Sequence, residues 1–475
     1  MGLLKNRALQ IALGPLVFAL CLLVGGYESE QVRMIAITAW MLSWWITSVI
    51  PIGVTALLPI VLFPIMGILS LRETTVNYSN YVIYLFFGGF VLGLAIEKWE
   101  LHRRIALNIM NISGDKPSRI ILGGMLTTSL LSMWISNTAT TVMMLPIGMS
   151  VIALINDKFE DKKSAKNFAL TLMLGIAYAA NIGGITTIIG TPPNGVLVGI
   201  VSESGLEPIT FTNWLLFAFP LVVILFCLVY FVNTRIAFPV NIKRLEGIGG
   251  LIKGELSELG KFKVGEKRVL IVMVSTALLW IFRTQITKIP NLEAVSDTGI
   301  AITACIALFL WPSGKGKKPL LVWKDTQRLP WDILLLFGGG ICVAKGLEVT
   351  NVVGLLGEWI SQNTIAAPLI IILVVCTFAV FLTEIMSNVA LVAVFIPVSF
   401  VIAQFFGLNE LQLAIPLTIG ASCAFMIPIS TPPNAIVYSS GHIKMGEMAK
   451  SGVLLNILCI IVISVYCYFV QGYFF

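Results

Sequence analysis

Two short polar motifs each occur twice inside apolar sequence, and this doubling constrains the chain more than any other feature. Ser136-Asn137-Thr138 is matched by Ser387-Asn388-Val389, and Thr191-Pro192-Pro193-Asn194 is matched by Thr431-Pro432-Pro433-Asn434. Polar, helix-breaking sequence is tolerated at membrane depth only where protein shields it or where it lines a polar cavity. Breaks at corresponding places in two halves point to one central site between two repeats.

Composition supports a membrane setting. The 475 residues are 57% hydrophobic and 12% charged, against about 25% charged in soluble domains. The fold class is therefore an all-α polytopic membrane protein. The net charge of +7 is spread over short loops and does not suggest nucleic acid. The eight cysteines lie in apolar runs without CxxC spacing and read as small buried hydrophobes. His102 and His442 form no metal motif, and neither HExxH nor an acidic cluster is present, which argues against a membrane-embedded enzyme. Lys5 and Arg7 precede an apolar run from Ala8 to Gly26 with no small-x-small cleavage site after it, so a retained first span is expected.

Apolar runs able to cross a bilayer lie near residues 8–26, 33–50, 53–69, 82–98, 166–198, 210–233, 267–286, 298–312, 330–349, 411–438 and 451–472. Two further stretches, 120–155 and 365–405, each carry a Ser-Asn motif in the middle. Cytoplasmic loops are rich in Lys and Arg. Both flanks of 120–155 are basic: Arg103, Arg104, Lys116 and Arg119 precede it, and Lys158, Lys162, Lys163 and Lys166 follow it. That stretch should enter and return from the cytoplasm. The flanks of 365–405, residues 349–364 and 405–412, hold no Lys or Arg, so that stretch should enter and return from outside. The remaining loops then alternate. Residues 234–268, Lys315, Lys317, Lys318, Lys444 and Lys450 fall inside, and 199–212 and the uncharged C-terminus fall outside. The expectation is about eleven transmembrane helices plus two opposed re-entrant hairpins, with a cytoplasmic N-terminus.

The repeat extends past the motifs. Tyr84-Leu85-Phe86-Phe87-Gly88-Gly89 parallels Leu334-Leu335-Leu336-Phe337-Gly338-Gly339 at an offset of 250. The Ser-Asn motifs, and Leu145-Pro146 with Ile396-Pro397, keep an offset of 251, and the Thr-Pro-Pro-Asn motifs one of 240. Hairpins entering from opposite faces make the halves inverted copies.

Ser132 and Ser136 share one helical face, as do Thr383 and Ser387. Each pair leads into an Asn where the helix should break. A broken helix exposes free carbonyls at one end and free N–H groups at the start of the next segment. Carbonyls, hydroxyls and an Asn oxygen suit Na⁺, and the N–H ends suit a carboxylate. The Pro pairs break a neighbouring span in the same way, leaving the Gly190 and Ser430 carbonyls and the Thr191 and Thr431 hydroxyls. No Lys or Arg lies in either hairpin core or beside either Pro-Pro loop. A dianion there would lack a fixed positive partner, which is costly. Bound Na⁺ would supply that charge and couple transport to the sodium gradient. Glu384 is the one acid within a hairpin and has Met133 as its counterpart. It reads either as a hydrogen-bonded anchor or as a protonatable group. Lys345, Glu348 and Arg283 should snorkel at span ends. Lys98 to Ser113, with Leu101, Ile105, Ile109 and Ile112 among charges, reads as a helix on the cytoplasmic surface.

Over nearly its whole length the sequence resembles the divalent anion–sodium symporters, particularly the bacterial INDY-type dicarboxylate transporters. The likeness rests on both Ser-Asn motifs, both Thr-Pro-Pro-Asn loops and the Gly-Gly runs. It implies a homodimer whose protomers carry a C4 dicarboxylate with Na⁺ by an elevator movement, with no other cofactor. It implies scaffold spans in 1–117 and 234–364, and the two halves of a transport domain in 118–233 and 365–475. The first sodium site implied is Ser132, Ser136, Asn137 and the Gly190 carbonyl. The second is Thr383, the Met386 backbone, Asn388 and the Ser430 carbonyl. The dicarboxylate would meet Asn137, Thr138, Thr191 and Pro192 on one side, and Ser387, Asn388, Thr431 and Pro432 on the other. Val389 departs from the pattern by standing where a Thr is frequent, so one carboxylate loses a hydroxyl donor. The reading is sodium-coupled uptake of dicarboxylates. The alternatives are exchange, transport of citrate or sulfate on the same fold, and an anion channel.

Overall fold

A computed structural model describes residues 7–158, 161–240, 247–314, 318–352 and 367–475. Lys5, Lys243, Arg244, Lys315, Lys317 and most of the flank through residue 364 lie outside the described residues. Among the described residues the chain is helical, apart from one isolated bridge between Pro312 and Pro319.

The first half runs α1 (Arg7–Gly25), α2 (Glu30–Thr47), α3 (Ile52–Ile65), α4 (Tyr81–Lys98) and α5 (Leu101–Ser113). It continues as α6 (Pro117–Ser132), α7 (Asn137–Lys158), α8 (Lys162–Ile185), α9 (Pro192–Glu203) and α10 (Phe211–Phe231). The second half comprises α11 (Ile248–Leu259), α12 (Val264–Ile281), α13 (Asp297–Leu310) and α14 (Trp331–Val349). These are followed by α15 (Pro368–Leu382), α16 (Asn388–Phe405), α17 (Leu411–Ala421), α18 (Pro432–Ser439) and α19 (Met445–Val470). Among the described residues, seven helical segments are long and apolar enough to cross a bilayer unaided, and α3, α13, α15 and α17 are shorter apolar helices. The shortfall against eleven predicted spans arises partly because some are interrupted: α17 with α18 falls on one expected span yet is two short helices.

The helix ends follow from local chemistry. Ser29, Asp161, Thr210 and Ser296 each accept a backbone N–H in the first turn of the helix they start. Pro117, Pro192, Pro368 and Pro432 occupy first-turn positions, where a missing N–H costs nothing.

Packing repeats the sequence symmetry. In the first half α8 packs on α6, α7 and α10, and in the second half α17 packs on α15, α16 and α19. The short helix beyond each Pro-Pro break crosses to the other half: α9 lies on α16 and α17, and α18 lies on α7 and α8. The apolar stretch of α8 is buried throughout, whereas α1 buries only Gly14 and is otherwise half-buried against α2 or exposed. The Gly-Gly runs allow close backbone approach. A Cβ on Gly88 would lie 2.7 Å from the Ala301 backbone of α13, and one on Gly339 would lie 2.5 Å from the Ala56 carbonyl in α3.

Three surface readings need amendment. α5 buries Leu101, Ala106, Leu107 and Met110 against α6 and α11, and leaves Ile112 83% exposed. Its packed face is therefore rotated from the Leu101–Ile105–Ile109–Ile112 stripe. Arg103 bonds Glu255 at 2.6 Å, and Arg104 bonds the buried Glu266 at 2.9 Å, so charge pairs fix this helix. Arg283 pairs with Asp297 at 3.0 Å and Lys345 with Glu348 at 3.1 Å, so the residues expected to snorkel at span ends also form ion pairs there. Cys227 is exposed and Cys21 half-buried, since both face outward from peripheral helices.

Candidate functional site

Four helix breaks meet around one cavity of about 730 Å³. α6 ends at Ser132 and α7 starts at Asn137; α15 ends at Leu382 and α16 starts at Asn388. α8 ends at Ile185 and α9 starts at Pro192; α17 ends at Ala421 and α18 starts at Pro432. The cavity is lined from the first half by Ser136, Asn137, Thr138, Gly190, Thr191 and Pro192. The second half contributes Met386, Ser387, Asn388, Ser430, Thr431 and Pro432, together with Val389. The eight residues expected to meet substrate thus share one space. Ile46, Ile52, Phe90, Ile189, Ile333, Ile385 and Ile429 form its apolar wall. The N-termini of α7, α9, α16 and α18 all border it, so a carboxylate meets the positive ends of four helix dipoles, with N–H donors available at α7 and α16 but not from the Pro-Pro starts of α9 and α18.

Thr191 and Thr431 sit just before their Pro pairs in extended backbone, at φ −140° in both cases, as Pro imposes on the residue ahead of it. Each motif's final Asn ties the break together. Asn194 Nδ2 donates to the Ile185 and Thr187 carbonyls at 3.1 and 2.8 Å. Asn434 Nδ2 donates to the Ala424 and Ile427 carbonyls at 3.0 and 3.3 Å. Both Asn side chains are fully buried. Carbonyls freed by the helix end are satisfied from within the motif, which leaves Gly190 and Ser430 at the cavity.

Ser132 and Thr383 lie behind the cavity wall. Ser132 Oγ lies 2.5 Å from Asn137 Oδ1 and 2.8 Å from the Ala180 carbonyl oxygen, two acceptors for its one proton, and Thr383 Oγ1 donates to the Ala421 carbonyl at 2.7 Å. A Cβ built on Gly184 would stand 2.6 Å from Asn137 Oδ1 and 3.0 Å from the Gly190 carbonyl oxygen. The Ser132, Asn137 and Gly190 oxygens therefore gather at one spot, the donor set a hard cation prefers. The second half differs. Asn388 Oδ1 accepts its neighbour Val389 N–H at 2.9 Å, and the Ser430 hydroxyl donates to the Ile427 carbonyl. Thr383, Met386, Asn388 and Ser430 surround the second break without a comparable set of short oxygen contacts.

Sequence reasoning missed several residues. Asn181 in α8 donates to Thr431 Oγ1 at 3.1 Å, and Tyr178 donates to the Phe425 carbonyl at 2.7 Å, tying α8 to the second-half break. Glu384 accepts from the Phe425, Met426 and Ile427 N–H groups at 2.8, 2.9 and 3.1 Å and from Asn456 Nδ2 at 2.8 Å. Of the two readings for this acid, the structure supports the anchor. Gly184 leaves the space in which the Asn137 and Gly190 oxygens approach each other. Gly184→Ala is expected to raise the Na⁺ concentration for half-maximal uptake at least ~10-fold, because a methyl at 2.6 Å must displace Asn137 Oδ1. A Na⁺ titration of uptake reads this directly, and an unchanged curve would remove these oxygens from sodium binding.

A family model described as "Sodium:sulfate symporter transmembrane region" matches residues 4–470. The sodium-dependent dicarboxylate transporter SdcS of Staphylococcus saprophyticus is 41% identical over 468 residues, which is 97% of this chain and 90% of that protein. The protein of the same name from Staphylococcus aureus is 39% identical over 475 residues, covering 98% of this chain and 91% of that one. Among solved structures, the Alcanivorax borkumensis YdaH transporter aligns with a TM-score of 0.56 at 12% identity, over 85% of this chain and 89% of that chain. Neisseria gonorrhoeae MtrF, described as illuminating a class of antimetabolite efflux pumps, aligns with a TM-score of 0.57 at 13% identity, over 84% of each.

Proposed function

The chain belongs to the sodium:sulfate symporter family, and from that premise we propose that it is a secondary active transporter that carries C4 dicarboxylates into the cell together with Na⁺. It is an integral membrane protein. The observation that carries the reading is the single cavity bordered by both Ser-Asn motifs and both Thr-Pro-Pro-Asn breaks. Its walls offer N–H ends and hydroxyls to two carboxylates, and its first-half corner offers clustered oxygens to a cation.

In this reading Asn137, Thr138, Thr191 and Pro192 hold one carboxylate, and Ser387, Asn388, Thr431 and Pro432 the other. One Na⁺ takes Ser132, Ser136, Asn137 and Gly190, and a second takes Thr383, Met386, Asn388 and Ser430. The second set closes only when Asn388 releases the Val389 N–H, so substrate and second cation bind together. Each ion sits beside a broken helix and offsets the charge of the dianion, which supplies the coupling. The chain forms about eleven spans and two opposed re-entrant hairpins. Residues 118–233 and 365–475 move as one transport domain against a scaffold of 1–117 and 234–364 in an elevator cycle, within a homodimer. The crossed packing of α9 and α18 supports one moving body, since each half holds the other's break. The N-terminus is cytoplasmic and the C-terminus is outside the plasma membrane.

Uptake of labelled succinate into proteoliposomes tests this reading. Accumulation is expected under an inward Na⁺ gradient and not under K⁺, with unlabelled malate and fumarate competing and sulfate not. Uptake that needs internal dicarboxylate and ignores Na⁺ would replace symport by exchange. Unsaturable flux would replace it by a channel.

A further inference from the structure

The cavity has a guanidinium at its rim that the site described above does not use. Arg328 ends the 3₁₀ turn Trp323–Arg328 ahead of α14. Its side chain lines both the main cavity and a smaller annex of about 70 Å³ bordered by Phe90, Trp134 and Ser136. Motif inspection expects no fixed cation because none lies near the breaks in sequence; the turn before α14 brings one in from elsewhere. Arg328 is exposed and makes no salt bridge or side-chain hydrogen bond among the described residues. The neighbouring cation Lys98 is instead paired with Asp325 at 2.6 Å. Three carboxylates bear on the region: Glu97 in the annex and Asp325 in the same turn, which feel the Arg328 charge at longer range, and Asp332 in the main cavity; none lies within ion-pair distance of Arg328. Asp332 occupies the first turn of α14, where the helix dipole offsets part of its charge. Lys318, Lys324 and Arg328 make this loop basic, which assigns the rim to the cytoplasmic face.

We propose that Arg328 is a transit subsite for a carboxylate at the cytoplasmic mouth. It receives one carboxylate of the dicarboxylate as the molecule leaves the Asn137–Asn388 site, and it captures dicarboxylate arriving from the cytoplasm. This rests on the dicarboxylate-symport reading. A guanidinium suits the role because it pairs with a carboxylate through two parallel N–H donors and stays charged at all working pH values. A charge at a concave mouth with apolar walls concentrates its field on the entering anion. The contact exists only while the cavity opens to that face, so it sets cytoplasmic affinity without touching external affinity.

The test compares inside-out and right-side-out membrane vesicles carrying the full-length chain, with labelled succinate as the probe. Arg328→Gln is expected to raise the half-saturating succinate concentration on the cytoplasmic face about 5- to 10-fold and leave the external value within about 2-fold. Arg328→Lys keeps the charge but not the paired donors and should recover only part of the loss, and higher ionic strength should narrow the gap between variant and wild type. Lys324→Gln removes an exposed charge from the same turn without altering the cavity lining and should shift neither face. An unchanged cytoplasmic value in Arg328→Gln, an equal shift on both faces, or the same shift from Lys324→Gln would each overturn the proposal. Wild-type vesicles lacking Na⁺-dependent succinate transport would overturn the symport reading itself, before any variant is compared.

Discussion

Asn137→Ala is expected to reduce Na⁺-driven succinate uptake at least ~100-fold while leaving the protein monodisperse in detergent. Asn137 is the first residue of α7, lines the cavity, and has its Oδ1 2.5 Å from Ser132 Oγ. One side chain thus stands between the clustered cation oxygens and the space for the carboxylate. Removing it takes a ligand from each. Contacts to charged groups are worth about 1.5–3 kcal/mol each, and each 1.4 kcal/mol is tenfold, so losing two gives a hundredfold effect or more. Folding is expected to survive because Asn137 is only half-buried, and Ser136 Oγ still accepts the Ala139 N–H at the start of the helix. Asn388→Ala is expected to lose transport to a similar extent through the mirrored position. The Na⁺ response separates the two variants. In the proposed site, Asn137→Ala removes a ligand whose oxygen already faces Ser132 and Gly190, whereas Asn388 must first leave the Val389 N–H. Normal uptake in both variants would remove the site assignment.

How far the sequence speaks for this site differs from residue to residue. The four breaks were legible because their causes are local. Pro192 and Pro432 cannot continue a helix from the residues before them, and an Asn following a polar pair marks where each hairpin turns. The pairing of the halves was legible because the offsets of 250, 251 and 240 repeat over long stretches. What stayed hidden depends on residues far apart in sequence. Arg328 reaches the rim through the turn ahead of α14, at a position no hairpin motif indicates. Gly184 is one small residue among several in Ala179-Ala180-Asn181-Ile182-Gly183-Gly184, and only the approach of Asn137 gives it a role. The face of α5 was misjudged because hydropathy alone ranks Ile112 above Ala106, although α6 and α11 leave room for the smaller side chain. The hydrogen bond from the Val389 N–H to Asn388 Oδ1, which has no counterpart at Asn137, was not legible either, because it depends on a side-chain rotamer.

Glu384→Ala is expected to be strongly destabilising, because it removes the acceptor for four donors at once. The Phe425, Met426 and Ile427 N–H groups belong to the irregular segment between α17 and α18, where no preceding helical turn supplies them a carbonyl. Asn456 Nδ2 in α19 completes the set, and Glu384 itself is 2% exposed, so water does not readily replace the carboxylate. Leaving such donors unpaired costs about 1–3 kcal/mol each in a buried setting, which puts the total for four at about 4 kcal/mol or above. A thermal midpoint measured by size-exclusion chromatography in detergent should fall by on the order of 10 °C. Glu384→Gln keeps one acceptor oxygen but turns an NH₂ toward the remaining donors, so its midpoint should lie between those of wild type and Ala. Glu384→Met copies the residue at the matching position, Met133, and is expected to fail as Ala does. The first half is tied differently: the Thr186 and Gly190 N–H groups at its break find the Gly183 and Thr187 carbonyls at 3.1 and 3.3 Å, and Thr187 Oγ1 donates to the Met133 carbonyl of the hairpin at 2.6 Å. If Glu384→Ala kept the wild-type midpoint and lost only transport, the anchor assignment would be wrong, and the acid would belong to the transport cycle.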